Sequence, residues 1–229
     1  MRNIAIIPAR SGSKGLKDKN IKELCGRPML AYSIMAAKES KLFDTIHVST
    51  DSREYADIAK KWGADVPFLR NDLLSGDNAT TRDAMCFALK EYEKLGQKFD
   101  TITILQPTSP LRKAIDLKVA FQIFNEKKAN AVVSVCEADH SPLWTNTIGE
   151  NLDMTGFISP IALNTPRQKL STYYRLNGAI YMAKVDYYRS EPNIYSDKCF
   201  ACIMPKERSV DIDDIFDFTM AKALMEMEE

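Results

Sequence analysis

The sequence predicts an α/β fold built on a mainly parallel sheet, and three observations predict it. Short apolar runs rich in β-branched residues recur along the chain. Stretches with the 3.6-residue apolar period of helices separate them. Capping and breaking residues (Ser, Thr, Pro, Gly) mark the boundaries between the two. No internal repeat is visible, and 229 residues is the length of one large domain.

Residues 3–8, Asn-Ile-Ala-Ile-Ile-Pro, read as a buried strand, and a polar loop follows over 9–20. Pro28 opens a helix to about residue 38, with proline near its favoured first position. Residues 45–49 read as a strand. Residues 52–62 read as a helix with Ser52 as cap and Glu54 in the first turn. A short strand is expected at 66–69. Thr80 or Thr81 caps a helix running to about residue 95, where Gly96 stops it. Residues 101–105 form a strand ended by Pro107 and Pro110, 113–128 an amphipathic helix, and 131–135 a strand. The alternation then breaks. Residues 137–176 scatter prolines, glycines and polar residues, and strand-like runs resume at 178–182 and 200–204. An acidic turn leads into a last helix at about 214–227. Strands separated by helices form βαβ units, and these require parallel pairing. An irregular insertion of roughly 40 residues is too long for a plain loop, so it reads as a lid, a small subdomain or a subunit-contact arm.

Composition excludes several function classes. Lys plus Arg and Asp plus Glu are both 31, so the formal charge is zero. General attraction to nucleic acid or an anionic membrane is disfavoured, although a local basic pocket is not. The longest uncharged stretch, 154–166, has 13 residues; a spanning helix needs about 20. The first residues lack a signal-peptide layout, so a cytoplasmic protein is expected. Five irregularly spaced cysteines argue against a disulfide framework. Cys199 and Cys202 form a CxxC inside an apolar run with no second pair, and read as strand cysteines. His47 and His140 are too far apart in sequence to indicate a His-rich metal centre. A compact monomer of this mass would expose roughly 10,000 Å².

In open parallel sheets, ligands bind beyond the carboxyl ends of the strands. The loop there, residues 9–20, holds Arg10, Lys14, Lys17 and Lys19 with Gly12, Gly15, Ser11 and Ser13. Small residues let backbone N–H groups approach an anion, and the cations neutralise it. That chemistry suits a polyphosphate, though a solvated basic loop has the same composition. The loop has neither the Walker A spacing nor GxGxxG, which disfavours a P-loop NTPase and a dinucleotide enzyme.

Ile7-Pro8-Ala9-Arg10, Gly12-Ser13-Lys14-Gly15 and Lys19-Asn20 together resemble the opening motif of the sugar-acid cytidylyltransferases, the synthetases of CMP-activated N-acylneuraminate and related nonulosonates. The resemblance continues in order through Ser49-Thr50-Asp51-Ser52, Leu105-Gln106-Pro107-Thr108-Ser109-Pro110-Leu111-Arg112, Arg175-Leu176-Asn177-Gly178-Ala179-Ile180-Tyr181 and Val210-Asp211-Ile212-Asp213. It implies a three-layer α/β/α, Rossmann-like nucleotidyltransferase fold spanning 1–229, with a dimerisation arm at about 137–176. It implies that the anomeric hydroxyl of a nonulosonic acid attacks the α-phosphate of CTP and displaces pyrophosphate. N-acetylneuraminate is the first expected acceptor, ahead of legionaminate, pseudaminate or KDO.

The resemblance assigns the nucleotide to Ala9, Arg10, Ser13, Lys14, Lys19, Asn20, Arg70, Ala79 and Thr81. Of these, Arg10, Lys14 and Lys19 hold the triphosphate. It assigns the sugar acid to Gln106, Arg167, Arg175 and Tyr181, with Ile194-Tyr195 where some relatives carry an acyl-binding Phe pair. Trp144 stands where some neuraminate enzymes have Lys. The arm implies a homodimer with arm exchange. Independently, Phe157, Ile158, Ile161 and Leu163 on such an arm need a surface to bury against.

Asp211 and Asp213 are two apart, so an extended backbone puts both carboxylates on one face. Two carboxylates with phosphate oxygens make a Mg²⁺ arrangement, and one of the pair is also a candidate base. Asp213 or Asp214 serving only as a helix cap is the plainer alternative. Two other classes compete: a non-catalytic nucleotide-binding protein, and a glycosyltransferase, which commonly carries a mid-chain DxD.

Overall fold

The structure is a computed structural model. It describes residues 1–229 except 13–14, 72–73, 75, 77–79 and 228–229, and all described side chains but those of 161 and 167. One sheet contains β1 (Asn3–Pro8), β4 (Thr45–Ser49), β5 (Thr101–Ile104), β6 (Ala131–Glu137), β7 (Tyr174–Lys184) and β8 (Cys199–Ile203). Their order is β4-β1-β5-β7-β6-β8. β1 pairs in parallel with β4 and β5, and β6 with β8. β7 runs antiparallel between β5 and β6. All the strands but β7 therefore point one way, and the sheet is mainly parallel. A separate hairpin joins β2 (Glu23–Leu24) to β3 (Arg27–Pro28). Its two turn residues, Cys25 and Gly26, both have positive φ, as a type I′ turn requires.

The helices are α1 (Met29–Ser40), α2 (Arg53–Lys61), α3 (Thr81–Lys94), α4 (Ala114–Glu126), α5 (Pro160–Leu163), α6 (Val185–Ser190) and α7 (Ile215–Glu226). Successive strand residues face opposite ways, and β1 shows the result. Ala5 and Ile7 pack with Leu30 and Ile34 of α1, Ala56 of α2 and Leu117 of α4. Ile4 and Ile6 pack with Met85 and Leu89 of α3 and Tyr188 of α6. This makes three layers. The expected caps are present: the Ser52 hydroxyl accepts from the Tyr55 N–H, and Thr80 and Asp83 form a capping box on α3.

Residues 66–69 are not a strand. Only an isolated bridge, His47 to Asp65, forms there. Pro67 has no N–H to offer a ladder. β7 begins at Tyr174, so the insertion is 138–173, carrying short turns and α5. Within it Ile148, Leu152, Met154 and Leu163 are exposed. The accessible surface is 12,669 Å², above the roughly 10,000 Å² of a compact monomer. Cys199 and Cys202 lie on β8, and burial pushes the Cys202 thiol up to about 11, so it is no ready thiolate.

His47 is fully buried in an aromatic cluster with Phe68 and Tyr92. Its Nδ1 lies 3.1 Å from the Asp65 carbonyl and 3.3 Å from the Tyr92 hydroxyl. Burial, aided by Arg70, pulls its pKa to about 4 against the accepting Asp65 carbonyl. The unfolded chain thus holds a proton there more tightly than the fold does. The stabilisation is present above pH ~6.5 and is lost as pH falls towards 4. Between pH 7 and 4.5, wild type is expected to lose roughly 2–3 kcal/mol more stability than His47→Gln in urea titrations. Parallel losses in both proteins would refute this.

Candidate active site

A cleft of about 530 Å³ lies beyond the carboxyl ends of β1 and β5. Five segments meet around it among the described residues: the loop after β1, the stretch carrying Arg70 and Gly76, the start of α3, the turn after β5, and the acidic turn before α7. The first and last are held together by packing. Val210, Ile212 and Phe218 bury against Leu24 and Met29, next to the loop. Gly15 lies so close that a Cβ there would sit 2.9 Å from the Asp213 carbonyl oxygen. The cationic loop and the acidic turn therefore face each other across one cleft.

The loop is braced from below. Asp51 accepts from both the N–H and the hydroxyl of Ser11, at 2.8 and 2.7 Å. Burial acts to raise the Asp51 carboxyl, but these bonds hold it below the ordinary carboxylate range. Asp18 takes a left-handed φ of 52° at the head of the Lys19–Ile21 turn and accepts from the Tyr55 hydroxyl. Asn20 is buried and donates to the Arg10 carbonyl at 3.0 Å. Ala9 is buried, its N–H bonded to Ser49. Arg10, Lys19 and Asn20 line the cleft. Lys19 Nζ reaches the Ile212 carbonyl at 2.8 Å and Asp213 Oδ1 at 3.0 Å, joining the two segments directly.

Arg70 is buried in the opposite wall, with Nη2 on the Ser49 carbonyl at 2.8 Å. Burial lowers its pKa, Asp51 opposes this, and Arg10 adds to it, so two cations share this end of the cleft. Thr81 lies on the first turn of α3. Gln106 and Thr108 lie in the turn after β5, which Arg112 holds from inside. The Arg112 guanidinium is buried, donating to Ser33 Oγ at 2.7 Å and to the carbonyls of Ser109 and Gln106. Behind the acidic turn, Arg208 grips the buried Asp116 with two bonds of 3.0 and 2.8 Å.

Asp211 and Asp213 both line the cleft. Asp214, not Asp213, caps α7, in a box with Asp217. Burial raises the Asp211 carboxyl above its ordinary value. Asp213 and Asp217 add to this, against a hydrogen bond from Thr108 and the charge of Lys19. Asp211 Oδ1 is buried with no hydrogen-bond partner. A partnerless carboxylate oxygen beside a second carboxylate has the chemistry of a divalent-cation ligand. Among the described residues no cluster of three or more His, Cys, Asp or Glu forms a metal cage. A cation held here would complete its shell with substrate oxygens and water.

Gln106 and Thr81 also line a second cavity of about 400 Å³, with Tyr181, Tyr188, Ile194 and Tyr195. Burial, with Tyr195 and Asp211, raises the Tyr181 phenol, which stays a neutral donor. Arg175 lines neither cavity; its Nη2 donates to the Ser209 carbonyl at 3.2 Å. Arg167 begins a short turn, Arg167–Lys169. Its side chain, and Ser13, Lys14 and Ala79 entirely, lie outside the described residues.

Gly178 had no assigned role in the sequence. One residue of β6, Ser134, faces 177–180 of β7, a bulge. The buried Asn177 closes it, accepting from Ser134 Oγ at 2.6 Å and donating to Ser209 Oγ at 2.9 Å. A Cβ on Gly178 would lie 2.5 Å from Gln106 Oε1 and 3.0 Å from Asp211 Oδ2. Glycine inside a strand pattern was the available signal.

A family model described as cytidylyltransferase matches residues 4–227. The chain is 33% identical to the CMP-N,N'-diacetyllegionaminic acid synthase of Legionella pneumophila, covering 100% of this chain and 98% of that one. It is 39% identical to the N-acylneuraminate cytidylyltransferase of Streptococcus agalactiae, covering 95% of this chain and 52% of that one. The chain thus spans about half the length of that relative. The fold matches a solved CMP:2-keto-3-deoxy-manno-octonic acid synthetase complexed with CTP at a TM-score of 0.74, with 16% identity and full coverage of both chains. With the match running through every wall of the cleft, the chain belongs to the cytidylyltransferase family and is a nucleotidyltransferase.

Proposed function

We propose that the protein transfers CMP from CTP to the anomeric hydroxyl of a nonulosonic acid, with N-acetylneuraminate the first acceptor. The observation that carries this reading is the pair of cavities joined at Gln106 and Thr81. One is polar and charged, fit for a nucleoside triphosphate. The other is largely aromatic and aliphatic, fit for an acylated sugar acid.

Arg10, Lys14 and Lys19 neutralise the triphosphate, and Ala9 and Ser13 of the same segment contact the nucleotide. Asn20 takes the ribose, and Arg70, Ala79 and Thr81 the base. Asp211 and Asp213 would hold Mg²⁺, which when bound offsets charge on the phosphates. Gln106 and Tyr181 orient the acceptor so that its hydroxyl meets the α-phosphorus in line with the leaving pyrophosphate. The oxygen–phosphorus bond to the sugar forms, the bond to pyrophosphate breaks with its electron pair going to the leaving pyrophosphate, and the hydroxyl proton passes to one carboxylate of the Asp211–Asp213 pair, the candidate base. Preorganised charge and positioning are what this cleft supplies. Arg167 and Arg175 are assigned to the sugar carboxylate by the family likeness alone. Exposed Ile148, Leu152 and Leu163 support an arm exchanged within a homodimer. No disulfide joins any of the five cysteines, in keeping with a cytoplasmic protein; no helix among the described residues is long and apolar enough to cross a membrane.

The apolar second cavity also favours a second acceptor class, the diacylated legionaminate and pseudaminate. The Campylobacter jejuni pseudaminic acid cytidylyltransferase is 31% identical over 98% of this chain. Pyrophosphate release from CTP and Mg²⁺ with N-acetylneuraminate, legionaminate, pseudaminate and KDO separates these acceptors. Release is expected with at least one nine-carbon acid. Release with KDO alone would redirect the reading, and none at all would leave a nucleotide-binding protein without this chemistry.

A further inference from the structure

Among the described residues, the second cavity is lined by one cation, Arg82, on the first turn of α3. Its guanidinium carbon lies 5.1 Å from the Tyr188 ring centroid, and its Nη2 donates to the Arg189 carbonyl at 3.1 Å. These two contacts hold it in place without neutralising it. Two described carboxylates of α3 are engaged elsewhere: Asp83 closes the capping box with Thr80, and Glu93 pairs with Arg189 at 2.7 Å. Burial raises the Tyr188 phenol, so the ring beneath Arg82 is neutral. Among the described residues, Arg82 meets no carboxylate within ion-pair distance.

An un-neutralised guanidinium on a half-apolar wall asks for a particular ligand group. It has N–H donors to spare, and a charged donor makes a stronger bond than a neutral one. Its neighbours Pro192, Ile194 and Tyr188 offer apolar contact instead. An acylamido group meets both needs, with a carbonyl oxygen for the guanidinium and a methyl for the apolar wall. A hydroxyl in its place forfeits the methyl contact and leaves the donors without the carbonyl.

We propose that Arg82 is a specificity-determining residue that donates to the carbonyl oxygen of an acylamido substituent on the acceptor, while Tyr188 and Ile194 hold the methyl. This rests on the cytidylyltransfer reading above and deepens it by naming the substituent that is read.

The test is steady-state kinetics of wild type, Arg82→Met and Arg82→Lys with CTP and two acceptors. One is N-acetylneuraminate; the other is the same nonulosonic acid with a hydroxyl replacing the acylamido group. Arg82→Met keeps much of the stem over Tyr188, and matched melting curves confirm that each variant folds. For the N-acylated acid, Arg82→Met is expected to raise KM by about 10- to 100-fold, the loss of one charge-assisted hydrogen bond. The KM for CTP and the kcat should hold, and KM for the hydroxyl acid should change by less than about twofold. Arg82→Lys should restore part of the loss, since an ammonium is a point charge without the planar fork. Equal losses with both acids would show that Arg82 reads a shared group such as the carboxylate, and would overturn the proposal. An unchanged KM, a raised KM for CTP, or wild-type preference for the hydroxyl acid would overturn it too. If wild type releases no pyrophosphate with any acid of the wider panel, the cytidylyltransfer reading itself fails, and this role falls with it.

Discussion

Gly178→Ala is expected to lower kcat/KM by about 100-fold while leaving the protein folded. The added methyl would sit 2.5 Å from Gln106 Oε1 and 3.0 Å from Asp211 Oδ2. Gln106 is flexible at its tip, so the fold can accommodate the methyl by swinging the amide aside. That movement takes the amide out of the wall shared by the two cavities and crowds Asp211. The stability loss is then mainly conformational. Gly178 has φ +73°, and a Cβ at such a φ costs about 1–2 kcal/mol. Gly26 provides the control. It has φ +74° and nothing within 4 Å of where its Cβ would be. Gly26→Ala should show a similar fall in melting temperature with kcat/KM near wild type. Equal kcat/KM in the two variants would remove Gly178 from the site.

Asp211→Asn is expected to lower turnover by about 10³-fold or more, the scale of losing a charge aimed at the reacting phosphates. The melting temperature should hold or rise. Burial, together with Asp213 and Asp217, disfavours the ionised form of this carboxyl in the fold, against Thr108 and Lys19. An amide of the same shape removes that penalty. The pH dependence follows from the direction of the shift. A raised carboxyl binds its proton more tightly in the folded state. Its contribution is fully present below the ordinary carboxylate value and is lost as pH rises through the raised one. Wild type should therefore lose stability relative to Asp211→Asn across that window, as melts at pH 3.5 and 7 would show. Full turnover by Asp211→Asn would refute both its role and the Mg²⁺ assignment.

The local elements were legible because each carries a local signal. Ser52 and Thr80 announce helix starts through hydroxyls that bond the next turn, and both do so. The run 66–69 has apolar residues but also Pro67, and loss of the ladder donor outweighed the pattern. The β2–β3 turn went unread because Cys25-Gly26 lacks the Asn-Gly or Asp-Gly signal, although its φ values are those of that turn. Arg175 donates to the Ser209 carbonyl, a contact no spacing in the sequence announces. A side chain's direction depends on its neighbours across the sheet, which sequence spacing does not report.

By itself, the sequence determined the α/β class, the loop of cations after β1, the acidic pair Asp211 and Asp213, and their family. These rest on residue type and short-range period, which need no knowledge of distant partners. Only the tertiary structure decided that β7 is reversed and that Asn177-Gly178 bulges towards Gln106 and Asp211. It also decided that, among the described residues, Asp211 keeps a buried oxygen without a partner and Arg82 lines the aromatic cavity with no carboxylate paired to it. Each of these depends on which distant segments burial brings into contact. A residue's solvation and free valence are set by that contact and not by its neighbours in the chain.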